Sequence, residues 1–558
     1  MSNIMKKSIV LLLVVGLLLG LTACTQPAPA PTGSEATDAP ENMEPGPDPG
    51  AEQEIPRGGT LIVAENMDPV CFLSCSTSDR GSASFSAPLY PMLLDYDSQN
   101  NMEPICSELV ESYEFENNKV LTFHLRQDAV WSDGEPIDAE DVAFTINELV
   151  IPYSPFGNQF LKDMESCVAT DAYTVVLTMK VPFPNLIYFW HRHYCQIYPE
   201  HIWSEYLPNF TECPEYTNPT VTGGAWMLEE YIPGEYASYT PNPTYFKEGQ
   251  PYLDRLIIRI IPDSDTQVSA LEAGEIDLTI PQLFPVTESE RIAAVDGLTV
   301  TNIGFDYGAV IYELFMNQED PYLSDVNVRR AVSMAIDKDR VVSDLLAGCG
   351  IPLDSYLPQG ATWDPYRITP EYVYDYDVEA ANQLLDEAGY AKDANGSRGI
   401  TLSFCCMNNS TIVKYGEMIK SFLSEVGIDV EITTLETAAF IDNVCINGDY
   451  SMCCVDMIAS LDFSVEARIF DSSRIGVSFG NMFRYSNERV DEIFATVASA
   501  SEDDQKALYA ELQNILAEDC VGVFIQSKPN YAFRSAFGNL PQLPHAQKTD
   551  YDDVYYMG

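Results

Sequence analysis

One short pattern in the chain is typical of nucleophilic catalysis. Residues 476–480 read Gly-Val-Ser-Phe-Gly, which matches the GxSxG pattern of a hydrolase nucleophile elbow. Such an elbow needs a strand before the serine and a helix directly after it. The residues on both sides of Ser478 are typical of a loop, and the only histidine that follows is His545. A glycine-rich loop explains the pattern better, and a hydrolase using this serine remains the alternative function.

Two other clusters contain residue types that bind metal ions. His191, His193 and Cys195 would share one face of a strand, and such side chains suit zinc. Residues 393–396, Asp-Ala-Asn-Gly, match part of a calcium loop but lack the acidic ligand that should follow. A polar surface loop and a simple turn explain these two segments better. We therefore expect no metal and no cofactor.

The charge and the cysteines restrict the class further. The 558 residues carry a formal net charge of -54, which repels nucleic acid, so we expect no nucleic-acid partner. There are 14 cysteines. The vicinal pairs at 405–406 and 453–454 are predicted to be small apolar residues of buried strands, while Cys71 and Cys75 could form a bridge. The length predicts two or three lobes rather than one core.

Local patterns predict several elements. Asn117 and Asn118 predict a turn between two paired strands, and helices are predicted to begin at Asp325, Asp337 and Asp377. Residues 400–432 read as a strand, a helix and a second strand.

The first 56 residues are typical of an exported, anchored protein. Lys6 and Lys7 precede a 13-residue apolar run, Ile9 to Leu21, which is too short for a comfortable membrane span. The run ends in Leu-Thr-Ala-Cys, which resembles a bacterial lipobox, and this resemblance implies a lipid on Cys24; a plain secretory peptide is the alternative. Residues 25–56 contain eight prolines and three glycines, which predicts a disordered tether.

The stretch from Leu121 to Val142 organises the rest. Alternating apolar residues up to Leu125 predict a strand, Gly134 predicts a turn, and Asp138 is a good N-cap for the helix that follows. The sequence of this stretch, with Trp-Ser-Asp-Gly-Glu-Pro and then Ala-Glu-Asp-Val, resembles the signature of bacterial extracellular solute-binding proteins of family 5. These are the peptide- and nickel-type receptors of ABC importers.

Further blocks carry the same resemblance along the chain. They are Thr222 to Phe246, the Ala-Gly-Glu-Ile-Asp at 273–277, and Asp325 to Asp337. The resemblance implies an α/β, two-lobed periplasmic-binding-protein-like fold of the hinge-closing type II, with an extra subdomain. The expected division is a signal peptide at 1–23, a lipidated tether at 24–56, a discontinuous first lobe at 57–96, 222–315 and 520–558, an added subdomain at 97–221, and a second lobe at 316–519.

The resemblance also suggests the ligand site. Relatives that bind peptides carry a Trp-x-x-Asp-Tyr-x-x-Pro block whose Asp pairs with the ammonium group of the peptide. Asp462 and Phe463 match the Asp-aromatic pair, whereas Ala459 replaces the Trp and the Pro is missing. We predict that Trp363 and Arg468 contact the ligand as well.

The resemblance implies a monomeric substrate-binding lipoprotein that is held on the outer side of the cell membrane. It would capture a small solute, most often a di- or oligopeptide. It would then deliver this solute to an ABC permease and its ATPase subunits. A non-transport sensor of the same fold is the other alternative.

Overall fold

The computed structural model describes residues 55–77, 79–97, 103–155, 157, 161–190, 195–279, 284–302, 310–360, 363–459, 463–527, 530–540 and 550–558. The predicted signal peptide, Cys24 and nearly all of the predicted tether lie outside these residues. The chain from Ile55 to Gly558 forms one unit. No helix among the described residues has both the length and the apolar character that a membrane span requires.

The described residues of this unit form twenty strands and fourteen α-helices. The strands are β1 Thr60–Glu65, β2 Leu94–Asp97, β3 Glu103–Cys106, β4 Val110–Glu116, β5 Val120–Leu125, β6 Met164–Asp171, β7 Thr174–Met179, β8 Trp226–Ile232, β9 Tyr236–Pro241, β10 Arg255–Ile260, β11 Leu298–Thr301, β12 Val310–Met316, β13 Gly350–Leu353, β14 Ile400–Met407, β15 Ile428–Leu435, β16 Met452–Ile458, β17 Gly522–Ser527, β18 Tyr531–Arg534, β19 Phe537–Gly538 and β20 Tyr555–Tyr556. The helices are α1 Arg80–Ser86, α2 Ala139–Phe144, α3 Ile151–Tyr153, α4 Glu200–Trp203, α5 Ser264–Ala273, α6 Ser289–Ala293, α7 Val326–Ala335, α8 Lys338–Leu345, α9 Val378–Glu387, α10 Ser410–Glu425, α11 Thr437–Phe440, α12 Ala467–Phe470, α13 Glu488–Val497 and α14 Glu502–Glu518.

The central stretch folds as its sequence predicts. Asn117 and Asn118 both have positive φ, 53° and 54°, which suits the tight turn between β4 and β5. Gly134 has φ of 96°, and its N–H donates to the carbonyl of Trp131 at 2.9 Å. Asp138 accepts from the N–H groups of Glu140 and Asp141, completing a capping box at the start of α2. A π-helical turn, Thr145–Val150, then joins α2 to α3.

The first region comprises residues 55–302 and 530–558. It contains a four-stranded sheet in the order β1-β10-β9-β8, in which β1 and β10 are parallel, and a second four-stranded sheet in the order β4-β5-β7-β6. Both sheets contribute to one hydrophobic core that extends from Leu61 to Val554. The end of the chain returns to this core, where the indole of Trp226 donates to the carbonyl of Asp550 at 2.7 Å.

The second region comprises residues 310–527 and is built on a six-stranded sheet in the order β13-β17-β12-β16-β14-β15. The strand–helix–strand unit predicted near 400–432 is present, because β14 and β15 are parallel and α10 connects them. Alternate residues of each strand enter two separate cores. In β12, for example, Ile311 and Phe315 face one core, and Leu314 and Met316 face the other.

This sheet bears on the expected lobe boundaries. The strands β12 and β17 lie in the first lobe by the predicted division, yet they are central strands of the second region and pair with each other along their length. Their pairing with distant strands could not be read from local pattern. We therefore propose that the second lobe covers 310–527 and that the added subdomain at 97–221 shares the core of the first lobe.

Candidate functional site

Three strand ends meet at one edge of the six-stranded sheet. Val310, the first residue of β12, is in register with Ile458, the last of β16, and with Ser527, the last of β17. Both connections between the first and second regions begin at this edge, one before Val310 and one after Ser527. The strands β11 and β18, which pair with each other, lie at the far ends of these connections. The edge is therefore where any motion of one region against the other would be centred.

The segment that follows β16 touches both regions. Phe463 and Ile469 belong to one core of the second region, whereas Val465 belongs to the core of the first region. Asp462, the predicted ligand carboxylate, lies outside the described residues, directly before Phe463. The described part of this segment thus lies between the two regions, at the place that the sequence suggested for ligand binding.

Among the described residues, the C-terminal half of β16 pairs with another strand on one side only. Its register with β12 runs from Met452 to Ile458, but its pairing with β14 is confined to Met452 and Cys453. From Cys454 onward, β14 no longer accompanies it. An unpaired strand edge presents a row of N–H and C=O groups, which is a template for another extended chain.

Two of the predicted ligand contacts are deeply buried. Trp363 is 1% exposed and Phe463 is 4% exposed, and both belong to a core of the second region. The ring of Phe463 lies 5.1 Å from that of Tyr509 and 5.7 Å from that of Tyr356. Their contact with a ligand stays a prediction, and their observed position favours a packing role.

Arg468, the fourth predicted contact, is held by a neighbouring carboxylate. Its Nε and Nη2 atoms lie 3.2 Å and 3.1 Å from Oε2 of Glu466. Glu466 is fully buried and also accepts from the hydroxyl of Tyr356 at 3.0 Å. The guanidinium is partly exposed, so the pair connects the interior of the second region with its surface.

Glu313 is an acid that sequence reasoning missed. It is fully buried in β12, and neither carboxylate oxygen has a hydrogen-bond partner among the described residues. Burial raises the pKa of Glu313 well above its ordinary value, and Arg468 and the nearby hydroxyl of Tyr356, which donates to Glu466, oppose this shift. The signal was visible in the sequence, where Glu313 is the single charged residue of an apolar run.

Asp456 in β16 is a second missed acid, and it too is the single charged residue of an apolar strand. Its side chain is exposed, while Val455 and Met457 on either side are buried. Asp456 is in register with Tyr312 of β12, so the two side chains share one face of the sheet. The surrounding protein raises the pKa of Asp456 to about 6.

The signature stretch itself has a structural use in the first region. The indole N–H of Trp131 donates to Oδ2 of Asp141 at 3.0 Å, the N–H of Asp138 donates to the same oxygen at 3.1 Å, and the N–H of Glu200 donates to Oδ1 at 2.8 Å. Burial raises the pKa of Asp141 to about 6 despite these donors. The carboxyl group therefore holds together the turn at Trp131, the N-cap of α2 and the first residue of α4.

The GxSxG segment does not form an elbow. A short 3₁₀ helix, Ser472–Arg474, precedes it, turns follow it, and the next helix, α13, begins eight residues after Gly480. Ser478 is exposed on this loop, as the sequence predicts. His545, the candidate base, lies outside the described residues.

The metal candidates give no site among the described residues. His191 and His193 lie outside them, and Cys195 is buried. No group of three or more His, Cys, Asp or Glu residues in the described chain is arranged to hold a metal ion. The 393–396 segment is a turn, in which the N–H of Gly396 donates to the carbonyl of Asp393 at 3.0 Å. Cys71 and Cys75 are free thiols rather than a bridge.

A surface groove of about 750 Å³ lies on the outer face of the β1-β10-β9-β8 sheet. Its charged residues already satisfy each other, since Arg255 pairs with Glu229 at 2.8 Å and Arg259 pairs with Glu275 at 3.1 Å. It is remote from the strand ends described above. The edge of the six-stranded sheet therefore remains the better candidate for ligand binding.

Comparison with known proteins decides the family. The model of bacterial extracellular solute-binding proteins, family 5 Middle, matches residues 105–466, which is more than half of the chain. The chain belongs to this family. The match includes the signature stretch, β12, β14 and β16, and it ends at Glu466.

Two curated relatives of this family 5 protein are similar over long stretches. A Brucella ovis protein, whose name describes an ABC transporter peptide-binding protein, is 28% identical over 372 residues, which cover 64% of this chain and 66% of the relative. The oligopeptide-binding protein AppA of Bacillus subtilis is 25% identical over 489 residues, which cover 85% of this chain and 87% of AppA. The match to the Brucella protein thus spans just under two thirds of its length.

Solved structures show the same fold. AppA of Bacillus subtilis, in complex with a nonapeptide, superimposes with a TM-score of 0.73 at 22% identity, covering 90% of this chain and all of AppA. NikA of Brucella suis, in complex with Fe(III)-EDTA, gives a TM-score of 0.75 at 21% identity, covering 89% and all of NikA. This family 5 protein accordingly has the two-lobed α/β fold. We propose that the first and second regions are its two lobes.

Proposed function

We propose that this protein is the substrate-binding component of an ABC importer and that it captures peptides between its two lobes. The observation that carries the peptide assignment is the one-sided edge of β16 at the boundary between the lobes. An extended peptide adds naturally to such an edge, where its main chain supplies the missing hydrogen bonds. The names of the Brucella ovis relative and of AppA support the same ligand class.

The proposal includes binding without turnover. The loop that holds Ser478 lacks the strand and helix of a nucleophile elbow, which supports a binder over the hydrolase alternative. Closure of the lobes about the two connecting segments would bury the ligand. The closed form would then dock on a permease whose ATPase subunits drive import, with the receptor acting as a monomer.

A ligand screen tests the function. A ligand that binds only the folded protein raises its stability by RT ln(1 + [L]/Kd), about 2.7 kcal/mol at a hundredfold excess over Kd. We expect a melting shift with di- to oligopeptides and none with sugars or nickel complexes, and the peptide should be recovered intact after denaturation. A peptide that is recovered cleaved, in a manner abolished by Ser478→Ala, would establish the hydrolase instead.

The role of Asp462 gives a second expectation. Asp462→Asn should weaken peptide binding by about 1.5–3 kcal/mol, because it removes a charge-assisted hydrogen bond to the peptide ammonium group. The melting temperature without ligand should stay nearly constant. Titration calorimetry that finds the same affinity for both proteins would make Asp462 a bystander.

We also propose that a lipid on Cys24 holds the protein to the outer side of the cell membrane. The supporting observation is the Leu-Thr-Ala-Cys sequence at the end of the apolar run. Cys24→Ser should move the protein from the membrane fraction to the soluble fraction. Equal membrane retention of variant and wild type would contradict the anchor.

A further inference from the structure

Asp456 lies in the part of β16 that pairs with a strand on one side only, close to the place where the lobes meet. It lies two residues before the end of β16, and therefore about 7 Å from the strand end where the lobes meet. It lies beyond Cys453, in the half of β16 that β14 does not accompany. No described strand therefore pairs with this part of β16 on the side where an added chain would pair.

The immediate surroundings of Asp456 are aromatic rather than cationic. On the same face of the sheet, the ring of Tyr312 lies 6.4 Å from that of Tyr415 in α10. The Asp456 carboxylate contributes, after burial, to raising the pKa of Tyr312, which places the two groups close together. No described residue forms an ion pair with Asp456.

This environment disfavours an isolated charge. The surrounding protein raises the pKa of Asp456 to about 6 by desolvation, although solvent still reaches the side chain. A cation that approaches the carboxylate recovers the lost solvation through charge-assisted hydrogen bonds. The overall charge of -54 also attracts cationic solutes to the protein.

We propose that Asp456 is a specificity-determining residue of the ligand site and selects ligands that carry a cationic group, such as a lysine or arginine side chain. This inference rests on the proposed function, because it takes the open edge of β16 as the place where the peptide binds. It assigns to this chain a preference for basic over acidic peptides.

The test compares matched peptides on the purified protein. The probes have three or five residues and differ only in the central one, which is Lys, Ala or Glu. We expect the wild type to bind the Lys peptides at least tenfold more tightly than the Glu peptides at pH 7.5, measured by titration calorimetry. Asp456→Asn should reduce this ratio to less than threefold, and Asp456→Lys should reverse the order.

Asp429→Asn is the matched control, because Asp429 is an exposed aspartate on β15 of the same sheet. It should keep the wild-type preference. Wild-type binding without a charge preference, or a preference that survives Asp456→Asn in a variant with unchanged melting temperature, overturns the inference alone. A wild type that binds none of the peptides overturns the peptide function as well, so the two failures are distinguishable.

Discussion

Two buried carboxyl groups, one in each lobe, differ in their hydrogen bonding. In the first lobe, Asp141 receives three N–H donors, from Trp131, Asp138 and Glu200, within 2.8–3.1 Å. In the second lobe, Glu313 is more deeply buried and has no hydrogen-bond partner among the described residues. A buried acid with hydrogen-bond partners stabilises the folded state, whereas a buried acid without partners destabilises it. We therefore infer that the second lobe, which carries the candidate site, is locally less stable than the first lobe.

The largest effect should follow removal of the satisfied acid. Asp141→Ala leaves three N–H groups without an acceptor in or near the core, so it should lower the free energy of unfolding by about 3 kcal/mol or more, measured by urea denaturation. Asp133→Ala is the control from the same turn. Asp133 is exposed, pairs with His201 at 2.8 Å and accepts from the N–H of Glu135 at 3.2 Å, so its loss should cost less than about 1 kcal/mol. Equal losses would contradict a special role for Asp141.

The opposite sign is expected for the unsatisfied acid. Glu313→Met replaces a buried carboxyl group by an apolar chain of similar length and should raise the free energy of unfolding by about 2 kcal/mol at pH 8. The raised pKa of Glu313 means that the folded state retains a proton that the unfolded state has released. Wild-type stability therefore falls as pH rises above the ordinary Glu pKa, and the advantage of Glu313→Met should be smaller at pH 5 than at pH 8.

Glu466→Gln provides the contrast to Glu313→Met. Glu466 accepts from Tyr356 and pairs with Arg468, so loss of its charge should destabilise the protein. A Glu313→Met variant that is less stable than the wild type at pH 8 would show that the carboxyl of Glu313 has a partner after all. The comparison between the lobes would then fail.

Local sequence was a reliable guide to local structure. The turn at Asn117 and Asn118, the cap at Asp138 and the unit around α10 all depend on residues close in sequence, and all are present. The vicinal cysteines lie in buried strands, as predicted. The capped helices that begin after Asp325, Asp337 and Asp377 are present as well.

Long-range pairing and side-chain direction were harder to predict. The chain enters the second lobe through β12 and leaves it through β17, and nothing local shows that these strands pair with each other. Phe463 follows the predicted ligand carboxylate, yet its own side chain is part of the core. Glu313 and Asp456 lie on adjacent strands but on opposite faces, one buried and one exposed, and only the register between β12 and β16 reveals this. The resemblance of sequence motifs identified the family, whereas the strand register was needed to see on which face of the sheet each missed acid lies.

The smallest expected difference is in local opening of the two lobes, and thiol labelling can measure it for each lobe separately. Cys75 and Cys195 are buried in the first lobe, and Cys453 and Cys454 are buried in the second. Burial raises the pKa of all four thiols, so each must open to solvent before it reacts. If Glu313 weakens only its own lobe, an alkylating reagent should label Cys453 and Cys454 ahead of Cys75 and Cys195 in the native wild type.

The Glu313→Met variant tests whether Glu313 destabilises the second lobe alone. A gain of about 2 kcal/mol confined to the second lobe should slow labelling of Cys453 and Cys454 by about 30-fold and leave Cys75 and Cys195 unchanged, as read by mass spectrometry of proteolytic fragments. Labelling in denaturant corrects for the intrinsic reactivity of each thiol. If all four thiols slow together, the lobes open as one cooperative unit. Glu313 would then lower the free energy of unfolding of the whole protein. The inference that the second lobe is locally less stable than the first would be wrong.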